Sequence, residues 1–169
     1  MASSEAASAV LDAGPVIHLD ELGCLDLLEG LGDLRIPEAV WEEVQRHRPR
    51  LRESSVPKLS VVPVFHNPSA ALSTLIRTLE LDRGEIAALD LLEKTAGALF
   101  LCDDAAARLA AESLGFEAHG TVGVIVRAIR RHTRTVAETK AILDQVPVRS
   151  TLHISRALLR EILGLLPGS

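Results

Sequence analysis

The fold is decided by the stretch Leu11-Asp12-Ala13-Gly14-Pro15, near the start of the chain. An apolar run at residues 9–11 precedes the carboxylate, and the apolar residues after Pro15 recur at helical spacing. We predict a strand, a tight turn at Gly14 and Pro15, and a helix, with Asp12 at the carboxyl end of the strand. Ligands collect at that end of open α/β sheets. Taken alone, the stretch fits a helix cap or turn residue equally well.

The composition describes one ordinary globular domain. Of 169 residues, 47% are hydrophobic and 24% charged, which is enough apolar material for a core. Only one Trp and three Phe are present, so recognition by stacking bases on an aromatic platform is disfavoured. The net charge of −5 is not the signature of a nucleic-acid-binding domain, although a local basic face remains compatible with it.

The first eight residues carry neither a basic nor a hydrophobic targeting segment. No apolar run approaches the roughly 20 residues needed to cross a bilayer. The two cysteines, too few for a disulfide framework, are expected to be reduced thiols. We therefore expect a cytoplasmic protein without a membrane partner, whose residues 1–7 are disordered.

Predicted strands alternate with predicted helices along the chain, which is typical of a doubly wound parallel sheet. The unbroken apolar run at 98–102 predicts a central strand, and the prolines around 59–65 predict an edge strand. We predict a three-layer α/β/α fold with a central parallel sheet. Residues 133–169 are expected to form a helical extension of the same domain, interrupted near Pro147, that packs on the body or on a second subunit of a homodimer.

Two predicted helices turn a carboxylate toward the interior. In the first, from Pro37 to about residue 47, Glu43 flanks the stripe of Val40 and Val44, whereas Glu42 points away from it.

In the second helix, at 82–96, Asp82 and Glu85 fit a capping box. Glu85 falls in the apolar arc, and a polar sector is predicted at Asp90, Glu93 and Lys94. A carboxylate in an apolar arc needs a partner, a metal ion or a raised pKa.

Further acidic residues, Asp103 and Asp104, follow the predicted central strand. Either can serve as a helix N-cap, but one cap does not need two aspartates. Carboxylates gathered at one end of a sheet repel one another unless cations are bound. All-oxygen ligands favour Mg²⁺ or Mn²⁺, which activate water in phosphodiester cleavage. The six histidines show no paired ligand spacing, which argues against zinc.

Basic residues form two groups. One helix carries a stripe at i, i+3, i+4 and i+7, made of Arg127, Arg130, Arg131 and Arg134. The second group is Arg46, Arg48, Arg50 and Arg52. Such groups attract a nucleic-acid backbone without reading its sequence, and a solvated face or the docking site of an acidic partner explains each group equally well. Together with an acidic metal site they favour a nuclease, with the stripe as the RNA-binding surface.

Five motifs in order resemble a PIN domain, closest to the PIN-like proteins related to VapC-type toxins, over residues 8–132. They are Leu-Asp-Ala-Gly-Pro, Ile-Pro-Glu-Ala-Val-Trp-Glu-Glu-Val, Leu-Asp-Arg-Gly-Glu, Leu-Cys-Asp-Asp-Ala-Ala-Ala-Arg and Gly-Thr-Val-Gly-Val-Ile. The resemblance implies a nuclease that cleaves RNA with Mg²⁺ or Mn²⁺ and, as a toxin, is held inactive by a cognate antitoxin. It carries the catalytic roles onto Asp12, Glu43, Glu85 and Asp104, with Asp12, Glu85, Asp103 and Asp104 as metal ligands.

Two positions depart from the family pattern. Gly14 stands where family members often have a hydroxyl residue, and Glu85 stands where many have Asp. The leading hypothesis is therefore a metal-dependent endoribonuclease of the toxin type. The alternatives are a catalytically inactive module that binds RNA or protein, and a small phosphoester hydrolase.

Overall fold

The computed structural model describes residues 8–64 and 66–167, and in this part of the chain five strands form one sheet. The order across the sheet is β3-β2-β1-β4-β5, and every neighbouring pair is parallel. The strands are β1 (Ser8–Leu11), β2 (Asp33–Pro37), β3 (Leu59–Val62), β4 (Leu99–Leu101) and β5 (Ala118–His119). The predicted parallel sheet and its β3 edge are confirmed. The expected disorder of residues 1–7 concerns positions outside the described residues.

Eight α-helices accompany the sheet within the same residues, and they cover both of its faces. Every side chain of β4 is buried although alternate residues of a strand point to opposite faces, which requires a helical layer on each side. The helices are α1 (Ala13–Glu21), α2 (Glu38–His47), α3 (Ala70–Leu79), α4 (Arg83–Glu93), α5 (Ala105–Ser113), α6 (Thr121–Arg130), α7 (Val136–Arg149) and α8 (Arg156–Leu165), with short 3-10 turns at Leu25–Leu28 and Glu53–Ser55. The fold is the predicted three-layer α/β/α arrangement.

Aliphatic side chains fill the core, and Phe100 is its largest fully buried member. Both cysteines are buried free thiols, as expected. Among the helices described here, none combines the length and apolar character that crossing a membrane requires.

The sheet has its switch point between β1 and β4. The chain adds β2 and β3 on one side of β1, and then β4 and β5 on the other. Leu11 is in register with Leu101, and the amide of Asp12 donates to the carbonyl oxygen of Leu101 at 2.9 Å. The residues that follow both strands therefore lie side by side, at the place where open α/β sheets bind ligands.

Two local predictions about proline are wrong. Gly14 and Pro15 do not form a turn, because α1 already begins at Ala13. Proline is tolerated in this first turn since the amides there have no helical acceptor. Pro147 does not interrupt the C-terminal helices either: α7 continues to Arg149, and the break falls at residues 150–155. The amide lost at Pro147 affects only the last turn of α7.

Asp90 does not belong to a polar sector, which corrects the prediction for α4. Its side chain is fully buried, and its Oδ2 accepts hydrogen bonds from Lys94 Nζ at 2.8 Å and from the Asn67 amide at 3.4 Å. Among the described residues, its Oδ1 has no hydrogen-bond partner. The segment before α3 packs over this side of α4. Helical periodicity within α4 cannot show that another segment packs there.

Candidate active site

Asp12 lies at the carboxyl end of β1, in the N-cap position of α1. Its side chain makes no cap hydrogen bond with the helix; instead its Oδ2 accepts a hydrogen bond from Cys102 Sγ at 3.4 Å. Burial raises the pKa of Asp12 to about 6, the Ala13 amide and the thiol offset part of this effect, and the carboxylates of Glu43 and Asp82 add to it. The side chain is therefore a desolvated acid held beside other acids.

Glu85 and Asp82 form the predicted capping box at the start of α4. The Glu85 amide donates to Asp82 Oδ1 at 2.9 Å, and the Asp82 amide donates to Glu85 Oε2 at 2.8 Å. The pKa of Glu85 is raised to about 7, mainly by burial; the hydrogen bond from the Asp82 amide offsets part of this effect, and the carboxylates of Asp82, Asp104 and Asp12 add to it. Glu85 therefore takes part in the capping box and is also an acid with a raised pKa. Asp82 lies close enough to influence that pKa, so it belongs with the same group of carboxylates.

The carboxylate of Glu43 lies against the start of α4. Glu43 is half-buried and Glu42 is exposed, which confirms the side of α2 that each was predicted to take. A Cβ atom built on Gly84 would lie 3.4 Å from both Glu43 Oε2 and Asp82 Oδ1. Gly84 thus leaves the space in which these two carboxylates approach each other.

The two aspartates after β4 have different surroundings. Asp104 caps α5, because its Oδ1 accepts from the amides of Ala106 at 2.7 Å and Ala107 at 2.9 Å. Asp103 is turned the other way, toward α1 and α6. Its assigned part in a metal site, like that of Asp104, stays a prediction.

Both oxygens of Asp103 are occupied by hydrogen bonds. Thr121 donates its amide to Oδ1 at 2.7 Å and its hydroxyl to Oδ2 at 2.6 Å, and His18 Nδ1 lies 2.8 Å from Oδ2. Burial acts to raise the pKa of Asp103, but these bonds bring it below its ordinary value. Asp103 is therefore a charged acid that ties β4 to α1 and α6.

Sequence reasoning missed the roles of His18, Asp82 and Thr121. A Cβ atom at Gly14 would lie 3.1 Å from Asp103 Oδ2, the oxygen that Thr121 Oγ1 contacts. Thr121 therefore places a hydroxyl on the same oxygen of Asp103 that position 14 approaches. The signal was available, because Thr121 opens a helix directly after Gly120 in one of the quoted motifs.

The clustered carboxylates have the donor chemistry of a site for Mg²⁺ or Mn²⁺. Within residues 8–64 and 66–167, no Lys, Arg or His forms an ion pair with any of them. As these residues stand, no three acidic, His or Cys side chains are grouped closely enough to hold a metal ion. Glu85 and Asp104 each form hydrogen bonds at the start of a helix, which in part explains why their carboxylates do not lie closer to the others. The cluster consists of Asp12, Glu43, Asp82, Glu85 and Asp104.

The arginine stripe lies away from this carboxylate cluster. Arg127 and Arg131 both donate to the carbonyl oxygen of Gly30 at 3.3 Å, and Arg134 pairs with Asp26 at 2.6 Å. The stripe also includes the exposed Arg130. α6 begins at Thr121, beside Asp103, and rises about 1.5 Å per residue, so its last turn lies more than about 10 Å along the helix from that contact. The prediction that one helix carries all four arginines is wrong for Arg134, because α6 ends at Arg130 and the chain turns at His132. Three of the four arginines tie the end of α6 and the turn after it to the segment before β2, and the predicted contact of the stripe with RNA remains a prediction.

The chain was compared with known families and proteins. A family model described as a PIN domain matches residues 8–167, from β1 through both C-terminal helices. No curated protein is significantly similar in sequence.

Proposed function

The chain belongs to the PIN-domain family, whose members are generally nucleases that use divalent metal ions, and from this premise we propose that it is a Mg²⁺- or Mn²⁺-dependent endoribonuclease. One observation carries the proposal. Near the switch point of the sheet lie five carboxylates that influence one another electrostatically and that form no ion pair with a cationic side chain among the described residues; Asp12 is the most buried of them. Such an arrangement is unfavourable by itself and becomes favourable when cations bind.

A bound Mg²⁺ or Mn²⁺ would supply activation of water and stabilisation of the charge that develops on the phosphodiester. Asp12 and Glu85 would hold the ion, with Glu43 and Asp104 beside them. Asp103 fixes the end of β4 through Thr121 and His18, and thereby positions Asp104. In this scheme Asp103 acts as a positioning residue, in addition to the ligand role that the resemblance implies.

The proposal includes the cellular role of the protein. The nuclease is the toxin of a toxin–antitoxin pair, acts on RNA in the cytoplasm, and is inhibited by a cognate antitoxin. The resemblance to VapC-type toxins supports this. A homodimer is also proposed. Its support is the surface of α8, where Leu158 and Leu165 are exposed two turns apart on one side of the helix.

The test is metal-dependent cleavage of single-stranded RNA by Asp12→Asn and Glu85→Gln. We expect each variant to lose at least about a hundredfold in rate, because each removes one carboxylate that would hold the metal ion. Glu42→Gln, one residue from Glu43 but exposed, is the matched control and should cleave like the wild type. Circular dichroism shows whether the fold is intact. Wild-type cleavage by both site variants would exclude the assigned cluster.

A second function, a catalytically inactive module that binds RNA or protein, is favoured by two observations. Both oxygens of Asp103 are already occupied, and the described side chains form no ready three-ligand group. Titration with Mn²⁺ separates the two functions. Saturable binding at or below millimolar Mn²⁺ supports the nuclease, and the lack of it supports the module.

A further inference from the structure

A pocket of about 500 Å³ lies beside α2, apart from the carboxylate cluster. It is formed where the end of α1, the 3-10 turn after it and the loop after α2 meet. Its size falls within the roughly 300–1,000 Å³ of small-molecule sites, enough for one nucleotide of a longer strand. Its lining is Asp20, Leu25, His47, Arg48, Pro49, Arg50, Leu51 and Ser55.

The charges of this pocket suit an anion. Arg48 pairs through its Nε with the carboxylate of Asp20, which neutralises the single acid of the lining and fixes the guanidinium in the wall. The terminal nitrogens of Arg48 remain for a second acceptor. Arg50 is exposed at the rim, beside the exposed hydroxyl of Ser55. An arginine held by a carboxylate and a second one at the rim form a site suited to a phosphate group.

His47 connects the pocket to the cleavage site. It lies four residues after Glu43 on α2, on the same side of the helix, and its Nδ1 donates to the carbonyl oxygen of Glu43 at 3.0 Å. Four residues of an α-helix rise about 6 Å. A stacked strand rises about 3.4 Å per nucleotide, so 6 Å is roughly two nucleotides.

We propose that this pocket holds a phosphodiester of the RNA strand one or two nucleotides from the bond that is cleaved, with Arg48 and Arg50 on the phosphate and Pro49 and Leu51 against the sugar. The proposal rests on the ribonuclease function above. An acidic peptide matches the same charges, but His47 lines the pocket and contacts the backbone of Glu43 one helical turn earlier, and this nearness to the proposed site favours the substrate strand.

The experiment measures binding of a fluorescently labelled 12-nucleotide single-stranded RNA in EDTA, where no cleavage occurs. Arg50→Ala should weaken binding about tenfold, and the slope of log Kd against log salt should fall by about 0.7, as expected for one lost phosphate contact on a single strand. Arg50→Glu should weaken it further. Arg77→Ala, which removes an exposed arginine from α3, is the matched control and should bind like the wild type.

Two results contradict the assignment of RNA binding to the pocket. One is unchanged RNA affinity in both Arg50 variants. The other is an equal loss of RNA affinity in Arg77→Ala, which indicates only nonspecific electrostatic attraction. A poly-glutamate peptide is tested as a competitor. If binding of the peptide depends on Arg50 and binding of the RNA does not, the pocket is assigned to an acidic protein. The proposed function fails separately. If the wild type binds RNA through Arg50 but does not cleave it with Mn²⁺, the pocket stands and the nuclease does not.

Discussion

Thr121 donates hydrogen bonds to both carboxylate oxygens of Asp103, from its hydroxyl to Oδ2 at 2.6 Å and from its backbone amide to Oδ1 at 2.7 Å. The two residues are 18 positions apart in sequence, and Thr121 is fully buried. The contact joins the start of α6 to the end of β4. Because a buried acceptor that loses its donor is costly, this pair is a sensitive point of the site.

We expect Thr121→Val to lower the free energy of unfolding by about 1–3 kcal/mol, since it leaves Asp103 Oδ2 without its hydroxyl donor. RNA cleavage should fall as well, through displacement of the end of β4. Thr121→Ser keeps the hydroxyl and should retain most of the activity. Urea denaturation and single-turnover cleavage measure the two effects. Equal activity in the Ser and Val variants would show that the hydroxyl does not matter.

Gly30 and Gly23 provide a matched test of the anchor that the arginines of α6 form. Both glycines have a left-handed backbone, with φ of +76° and +69°. A Cβ atom at Gly30 would clash with the guanidinium of Arg131, whereas no atom of the described residues would lie within 4 Å of a Cβ atom at Gly23. Gly23→Ala should cost about 1–2 kcal/mol from its backbone alone.

Gly30→Ala should cost more than this, because it also displaces Arg131 from the Gly30 carbonyl. Thermal unfolding of the two variants gives the comparison. If they lose the same stability, the contact between α6 and Gly30 contributes nothing measurable. The double variant Gly30→Ala, Arg131→Ala then tests the contact directly, and it should recover the steric part of the loss.

The stability of the metal-free protein should fall as the pH rises. In the folded chain the pKa of Asp12 is raised from its ordinary value of 3.8 to about 6, and that of Glu85 from 4.5 to about 7. The folded state therefore binds more protons than the unfolded state, so the contribution of both groups is full below their unfolded pKa values and is lost through pH 6 and 7.

Thermal unfolding in EDTA at pH 5 and pH 8 measures this dependence. The wild type should have the lower Tm at pH 8, and Asp12→Asn with Glu85→Gln should flatten the difference. Adding Mn²⁺ at pH 8 should raise the Tm of the wild type only. A wild-type Tm that stays level, or rises, between the two pH values contradicts the prediction.

Asp90 and Lys94 form a buried ion pair that can be tested by a double-mutant cycle. Lys94→Met leaves the buried carboxylate without its 2.8 Å partner and should cost about 1–3 kcal/mol, less than a fully buried pair because Lys94 is partly exposed. Asp90→Asn removes the charge and should cost less. In the Asp90→Asn background, the Lys94→Met change should have little effect on urea denaturation; a loss of the original size there would show that the pair is not coupled.

The sequence alone was sufficient to predict those features that depend on the periodicity of a single segment. The choice between Glu42 and Glu43 followed from the helical repeat around Val40 and Val44, and the capping box followed from a spacing of three residues. The parallel sheet followed from the alternation of strand and helix. In each of these cases the deciding neighbours lie within a few residues along the chain.

Where the neighbours are distant in sequence, the sequence alone was not enough. Asp90 was misplaced because the chain before α3 covers it, and His18 and Thr121 were missed because they lie 103 positions apart. The arginine stripe was predicted correctly only in part: Arg127 and Arg130 lie on α6, but the helix ends at Arg130 and Arg134 lies beyond the turn at His132. The contact of Arg127 and Arg131 with Gly30, about a hundred residues away, could not be predicted from the helix itself.

The pairing of β1 with β4 has a consequence for when the site comes into existence. Asp12 and Cys102, which touch across this pair, are 90 residues apart, and the strands between them pair on the other side of β1. A chain still emerging from the ribosome, with only β1 to β3 made, has one carboxylate-bearing strand end and no partner for it. Synthesis itself thus delays the assembly of the cluster, and under the proposed function a growing chain cannot cut the messenger from which it is being translated until its second half has emerged.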